Sequence, residues 1–302
     1  DQVSGIDGMV KWNDRVNDFN YFVGVNLTLA RQKTINNYGE VFLNGWDQYR
    51  WGQANRWSNV KNGAVWMWET IGVFQTQEEI DNYPVNIDGA NNVNLRPGDL
   101  IFKDVNGDGL IDDYDKRPLG YAATDYDWDS GNANKNPLLS MGINLGFEYK
   151  GIDFAADFAG GFMNTFIGDW HVKYGIGTDQ MGYVYNVVDS WQHEDIFDTK
   201  SPWKRGKFPA VRSNNPSIRD WNDFYAKEIN YLRLRNLVVG YTLPVKWTKK
   251  ALIQKLRVYF EGSNLLCWDS LNDFGFDPEI SSVTGFDYPQ HKVYTVGVNV
   301  TF

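Results

Sequence analysis

The chain has 302 residues, with 38 acidic against 29 basic and a formal charge of −9, which argues against a non-specific nucleic-acid binder and its basic surface. Hydrophobic residues make up an ordinary 42%, so no stretch approaches the roughly 18 consecutive apolar residues of a membrane-spanning helix, whereas a β-barrel stays open because only alternate strand residues face lipid. A single cysteine, Cys267, excludes a disulfide framework or a multi-cysteine metal site, and 13 Trp, 17 Tyr and 18 Phe exceed what a core alone requires.

The chain opens Asp-Gln-Val-Ser-Gly, with no initiator Met, basic n-region or apolar h-region. The expectation is a removed targeting segment or an interior fragment. The first clear element is an alternation of Tyr21, Val23, Val25, Leu27 and Leu29 with Phe22, Gly24, Asn26, Thr28 and Ala30, the period of a strand with one apolar face. A long connection, about 32–137 and rich in Trp, Asn, Asp and Gly, follows.

Inside that connection lies the sharpest local motif, running from Asp104 to Asp115. Asp104, Asn106 and Asp108 stand at positions one, three and five of a calcium-loop pattern, and Gly109 stands at the turn. Leu110 supplies a backbone carbonyl, Asp112 a direct or water-mediated contact, and Asp115 the closing carboxylate. An all-oxygen set of this spacing suits a hard cation, Ca²⁺ or alternatively Mg²⁺. Asp115 in place of the usual Glu has a shorter reach, which favours Ca²⁺ with a single oxygen from that residue. The flanks do not suit a helix-loop-helix hand, since Leu100-Ile101-Phe102 reads as strand and Pro118 opposes a following helix. The expectation is a structural cation clip in an external loop.

Next, Met141, Ile143, Leu145, Phe147 and Tyr149 alternate with Gly142, Asn144, Gly146 and Glu148. Lys150-Gly151 makes a tight turn, and Ile152, Phe154, Ala156 and Phe158 resume the pattern as the second strand of a hairpin. After a second long connection, about 163–223, come a strand through Leu256, Val258 and Phe260, a third long connection, about 267–290, and a final alternation of Tyr294, Val296, Val298, Val300 and Phe302. The short connections fall near Asp14 to Asp18, at Lys150-Gly151 and across Leu243 to Lys255. Laid in order, the strands alternate direction and every long loop falls at one end, the pattern of a transmembrane antiparallel β-barrel with short periplasmic turns and long extracellular loops. Tyr21, Tyr149, Tyr241 and Phe302 lie near the periplasmic strand ends, as an aromatic girdle requires.

Chemistry-bearing motifs are missing. His171, His193 and His291 are isolated, Cys267 has no nearby histidine, and neither a phosphate-binding loop nor a nucleophile elbow occurs. Carboxylates such as Asp157, Glu228 and Glu261 are expected inside a barrel in any case. The chain does not read as an enzyme.

Four phrases together resemble the SusC/RagA family of TonB-dependent outer-membrane transporters. They are Gly72-Val-Phe-Gln-Thr-Gln-Glu-Glu-Ile80, Pro97-Gly-Asp-Leu-Ile-Phe-Lys-Asp-Val-Asn-Gly-Asp-Gly109, Tyr231-Leu-Arg-Leu-Arg-Asn-Leu-Val-Val-Gly-Tyr-Thr-Leu-Pro244, and Gly262-Ser-Asn-Leu-Leu266 with Phe276-Asp-Pro-Glu-Ile280. Their order and spacing match the family's C-terminal third, and the terminal alternation to Phe302 looks like the barrel-insertion signal. The resemblance implies the C-terminal strands of a barrel of about 22, in the outer membrane of a Gram-negative, Bacteroidetes-type envelope. It also implies an N-terminal plug, coupling to the TonB complex, and a SusD-like surface lipoprotein as lid. The cargo implied is a glycan fragment or, in some members, a peptide.

About seven long strands are legible here, and an open sheet leaves unpaired edges that lipid does not tolerate. A companion chain that supplies the plug and remaining strands is therefore expected. Trp46, Trp51, Trp57, Trp66, Trp68 and Trp203 are candidates for stacking on sugar rings or meeting the lid. The alternative from another class is a soluble calcium-dependent carbohydrate-binding module, which shares the acidic loop and the tryptophans.

Overall fold

The computed structural model describes residues 2–33, 65–120, 137–167, 189–210, 212, 215–218, 222–271, 277–279 and 290–302. In chain order the strands are β1 (Gln2–Val16), β2 (Phe19–Lys33), β3 (Val65–Met67), β4 (Thr70–Val73), β5 (Leu100–Phe102), β6 (Arg117–Gly120) and β7 (Leu139–Tyr149). They continue with β8 (Ile152–Ile167), β9 (Gln192–His193), β10 (Trp203–Lys204), β11 (Ala226–Thr242), β12 (Lys255–Asp269) and β13 (Val293–Thr301). Two short helices are α1 (Gln77–Asp81) and α2 (Val245–Thr248).

The seven long strands form one antiparallel sheet in the order β1-β2-β7-β8-β11-β12-β13. They run from 9 residues in β13 to 17 in β11, enough to cross a hydrocarbon core with the usual tilt, which takes about 9–11 residues. This is the antiparallel barrel wall that the alternation predicts. Short turns join the strands at one end. At the β7–β8 hairpin Lys150 and Gly151 both have positive φ, 46° and 88°, the backbone that matches the right-handed twist of flanking strands. The connections that contain β3–β6, α1, β9 and β10 leave from the other end, while α2 lies in the β11–β12 link at the short-turn end.

Register puts apolar and polar residues on opposite faces. Leu145 pairs with Val23 and Ala156, and Ala156 pairs with Leu237, a row of aliphatic side chains on the lipid side. The neighbouring row is polar, and Asn144 Nδ2 donates to Asp157 Oδ1 at 2.6 Å. Near the short turns the lipid face carries an aromatic cluster. Phe19 lies 5.4 Å from Phe147 and 6.0 Å from Tyr149, and Phe147 stacks on Phe154 at 5.2 Å. On the opposite face Arg257 and Asp153 form a bidentate ion pair across β11. Gly240 of β11 lies beneath it, and a Cβ there would stand 2.5 Å from Asp153 Oδ1 and 2.6 Å from Arg257 Nε.

The long connections pack into a cap rather than standing apart. Its core joins Trp68, Phe74, Ile80, Ile87, Leu95, Leu100, Phe102 and Ile111 from the first connection to Phe208 and Tyr225 from the second and Leu271 from the third. Ile229 of β11 belongs to the same cluster, so the cap's core is continuous with the barrel rim. Polar links also join the first connection to the second. Arg212 grips the fully buried Asp99 with bonds of 2.8 and 2.5 Å, Leu100 N donates to Ser217 Oγ at 2.7 Å, and Thr70 N donates to Asp223 Oδ1 at 2.8 Å.

Candidate cation loop and outer cavity

Strands flank the acidic loop, β5 before it and β6 after it, with a single 3-10 turn at Asp113–Asp115 between. A helix-loop-helix hand is thereby excluded. The loop is shaped by its own carboxylates. Asp104 accepts from Gly107 N at 2.6 Å and Gly109 N at 2.9 Å, Asn106 Oδ1 from Asp108 N at 3.1 Å, and Asp108 Oδ1 from Leu110 N at 2.9 Å. Gly107 and Gly109 take positive φ, 77° and 82°, and Gly109 stands where the calcium-loop pattern requires a sharp turn. Asp112 caps the 3-10 turn through Tyr114 N. Asp115 is fully buried and closes the loop by accepting from Val105 N at 2.7 Å and Asp112 N at 2.9 Å. Burial holds its carboxyl above the usual range despite those bonds. Among the described residues no three His, Cys, Asp or Glu side chains are arranged as a metal site. The all-oxygen donor set, the chain-order spacing and the two glycine turns fit a hard cation.

The candidate tryptophans separate. Trp46, Trp51 and Trp57 lie outside the described residues, and Trp66 lies in β3, opposite Pro118. Trp68 is 2% exposed, packs 5.1 Å from Phe102, and donates from Nε1 to Asp112 O at 2.8 Å. Its ring therefore supports the cap core and the cation loop. Trp203 is half-buried and lies 4.0 Å from the His193 ring, which anchors the β9–β10 hairpin.

The third connection is tied to the wall by ions. Arg233 of β11 is 4% exposed and donates to Asp277 at 2.6 Å, while its Nε stands 2.9 Å from Glu279 without hydrogen-bond alignment. Arg235 also pairs with Glu279. Residues of two of the family-like phrases, Arg233 and Arg235 of one and Asp277 and Glu279 of the other, thus meet as one cluster 44 residues apart in sequence. At the other end of the polar face, near the short turns, Asn20, Phe22, Glu148, Asp153 and Ala155 line a hollow. Of the carboxylates considered for catalysis, Asp157 accepts from Asn144 and Glu228 accepts from Asn230.

Two cap carboxylates hold low pKa values. Burial pulls Asp88 upward, but bonds from the backbone of Asn94, Ala90 and Asn92 prevail and lower it. Glu69 is likewise lowered, burial being outweighed by Lys103 and Arg117. A carboxylate depressed in the folded state stabilises it above the unfolded pKa and loses that contribution as pH falls through the folded value. Hydrogen-exchange protection at the Ala90, Asn92 and Asn94 amides is therefore expected to be flat above about pH 5 and to fall below about pH 4.

An antiparallel wall with one apolar and one polar face, capped at one end by long connections, is the architecture of a transmembrane β-barrel segment. Sequence relatives agree. The chain is 26% identical to TonB-dependent receptor P3 of Formosa agariphila over 261 residues, covering 80% of this chain and 22% of that protein. It is also 26% identical to TonB-dependent receptor P26 of the same organism, covering 77% of this chain and 22% of that one. It thus spans about a fifth of the length of these curated relatives. Against solved structures, a chain of the RagAB peptide importer in its open-open state superposes with a TM-score of 0.61 at 18% identity, covering 99% of this chain and 28% of that one. The closed-closed state gives 0.59 at 20% identity, covering 99% and 29%. No protein-family model matches the chain. The resemblance drawn from the sequence stands: the chain is similar in sequence to TonB-dependent receptors and shares the fold of the RagAB importer chain. None of these names denotes an enzyme, in line with the missing catalytic motifs.

Proposed function

We propose that the chain is part of a TonB-energised outer-membrane importer that takes up glycan fragments beneath a SusD-like lipoprotein lid. The observation that carries this reading is the one-sided molecule, with a lipid face, a polar face and a packed cap built from every long connection. The outer strands β1 and β13 each have one edge without a partner strand in the sheet, and lipid requires those edges to be paired. The further strands of a closed barrel, together with a plug and a TonB contact, meet that requirement. The glycan class is supported by the aromatic, Asn- and Asp-rich first connection with Trp46, Trp51 and Trp57, since flat rings stack on sugars while carboxamides and carboxylates bond hydroxyls. A second reading, peptide cargo, is favoured by the fold shared with the RagAB peptide importer. Uptake of labelled oligosaccharides and labelled peptides into cells with and without the gene separates the two. Loss of oligosaccharide uptake alone, abolished likewise by a proton uncoupler, is expected; loss of peptide uptake alone would replace the glycan reading.

We also propose that the loop holds Ca²⁺ through Asp104, Asn106, Asp108, the Leu110 carbonyl, Asp112 and Asp115, as a structural clip. Bound cation there would neutralise carboxylates that stand close together in the sequence of the loop. Replacing Asp104 and Asp108 by Ala is expected to remove one metal ion per transporter in elemental analysis of the purified complex. Unchanged metal content would contradict the assignment.

A further inference from the structure

The β11–β12 connection, residues 243–254, is the longest of the short-turn-end links and has a composition unlike the rest of the acidic chain. It carries Lys246, Lys249 and Lys250, all exposed, and no carboxylate. Beside them Val245 is 51%, Trp247 61% and Leu252 84% exposed, while Thr248, at 5%, seats α2 on the protein. The α turn Val245–Thr248 runs into a 3-10 turn, Lys249–Ala251, so exposed apolar side chains and the three exposed lysines lie together on a short segment. Leu252 closes the segment with φ 60°, a left-handed position that usually takes glycine. A large apolar side chain held fully outward in a disfavoured backbone conformation points to use of that side chain. The segment is also continuous with the lipid face, since Tyr241 and Val258, paired across β11 and β12, are 38% and 40% exposed beside it.

Given the barrel reading, we propose that this connection is an interfacial anchor that binds anionic phospholipid at the inner leaflet. Trp247, Val245 and Leu252 enter the headgroup boundary, and Lys246, Lys249 and Lys250 meet the lipid phosphates. Charge complementarity and the adjoining lipid face select a phospholipid surface over a protein partner.

The test uses the complete transporter in nanodiscs with Cys267→Ser as background. An environment-sensitive fluorophore at Leu252→Cys is expected to be quenched by brominated phospholipid and shielded from aqueous iodide, with a reporter at Val298→Cys as the barrel control. Quenching at Val298 but not Leu252 would overturn the anchor alone; no quenching at either would overturn the barrel reading and the anchor with it. Independently, Lys246→Gln, Lys249→Gln and Lys250→Gln together are expected to reduce the preference for phosphatidylglycerol over phosphatidylcholine by roughly a hundredfold, each lysine being worth about a fivefold shift near an anionic surface. An unchanged preference in a variant that still inserts would overturn the phosphate contacts.

Discussion

Arginine at Leu145 is expected to destabilise the inserted barrel by about 2–4 kcal/mol, the cost of a cation at mid-depth on a lipid face, whereas arginine at the adjacent Asn144 is tolerated. The two residues are neighbours in β7 and point to opposite sides. Leu145 sits between Val23 and Ala156 in the aliphatic row. Asn144 already bonds Asp157 across the strand pair, so an arginine there gains a carboxylate partner in a wet lumen. Reversible unfolding from lipid vesicles reads both. Equal penalties at the two positions would mean that the faces are not lipid and water. A soluble carbohydrate-binding module, the alternative from sequence, predicts near neutrality at whichever position faces solvent.

Arg233→Ala is expected to be the most damaging single truncation on the polar face, at about 3–5 kcal/mol, because it leaves buried carboxylates without their cation. Asp277 and Glu279 have side chains only 17% and 13% exposed. Arg235 remains beside Glu279 but is itself 36% exposed and does not reach Asp277 among its recorded bonds. Release of the third connection is the structural consequence. Limited proteolysis should show new cleavage near residues 272–289 in the variant, and Arg233→Ala combined with Asp277→Asn and Glu279→Gln should recover part of the loss. Full stability in Arg233→Ala alone would show that the cluster does not fasten the loop.

How far the sequence reveals this architecture depends on the local regularity of each strand. β7, β13 and β8 as far as Gly161 keep an unbroken period of two and are legible from it. β11 does not, because its register shifts between Leu234 and Asn236. Arg235 is an extra residue there, so Leu232 and Leu234 share a face with Leu237 and Val239 although the spacing changes parity. β1 is obscured differently. Pairing places Ile6, Val10 and Trp12 on one face with Ser4, Gly8 and Asp14, while Val3 and Met9 fall on the other. The acidic loop was legible as a motif, since its ligand spacing is local. Its burial of Asp115 and its link to Trp68 through Asp112 were not, because both depend on the cap core. The same holds for the Arg233 cluster, whose members come from phrases visible separately but joined only by the fold. Trp68 illustrates the general difficulty: composition marks a tryptophan, and only packing decides whether its face meets solvent or Phe102.

The most direct test of the central claim is sided labelling of the complete transporter in intact cells, with single cysteines placed in a Cys267→Ser background at Phe197, Asn17 and Val298. Phe197 lies in the second long connection and is 92% exposed, Asn17 lies in the β1–β2 turn, and Val298 lies on the apolar row of β13. A membrane-impermeant maleimide is predicted to label Phe197→Cys on intact cells, Asn17→Cys only after the outer membrane is opened, and Val298→Cys in neither case. Labelling of Asn17→Cys and Phe197→Cys from the same side would contradict a wall that crosses the outer membrane with its long connections outward.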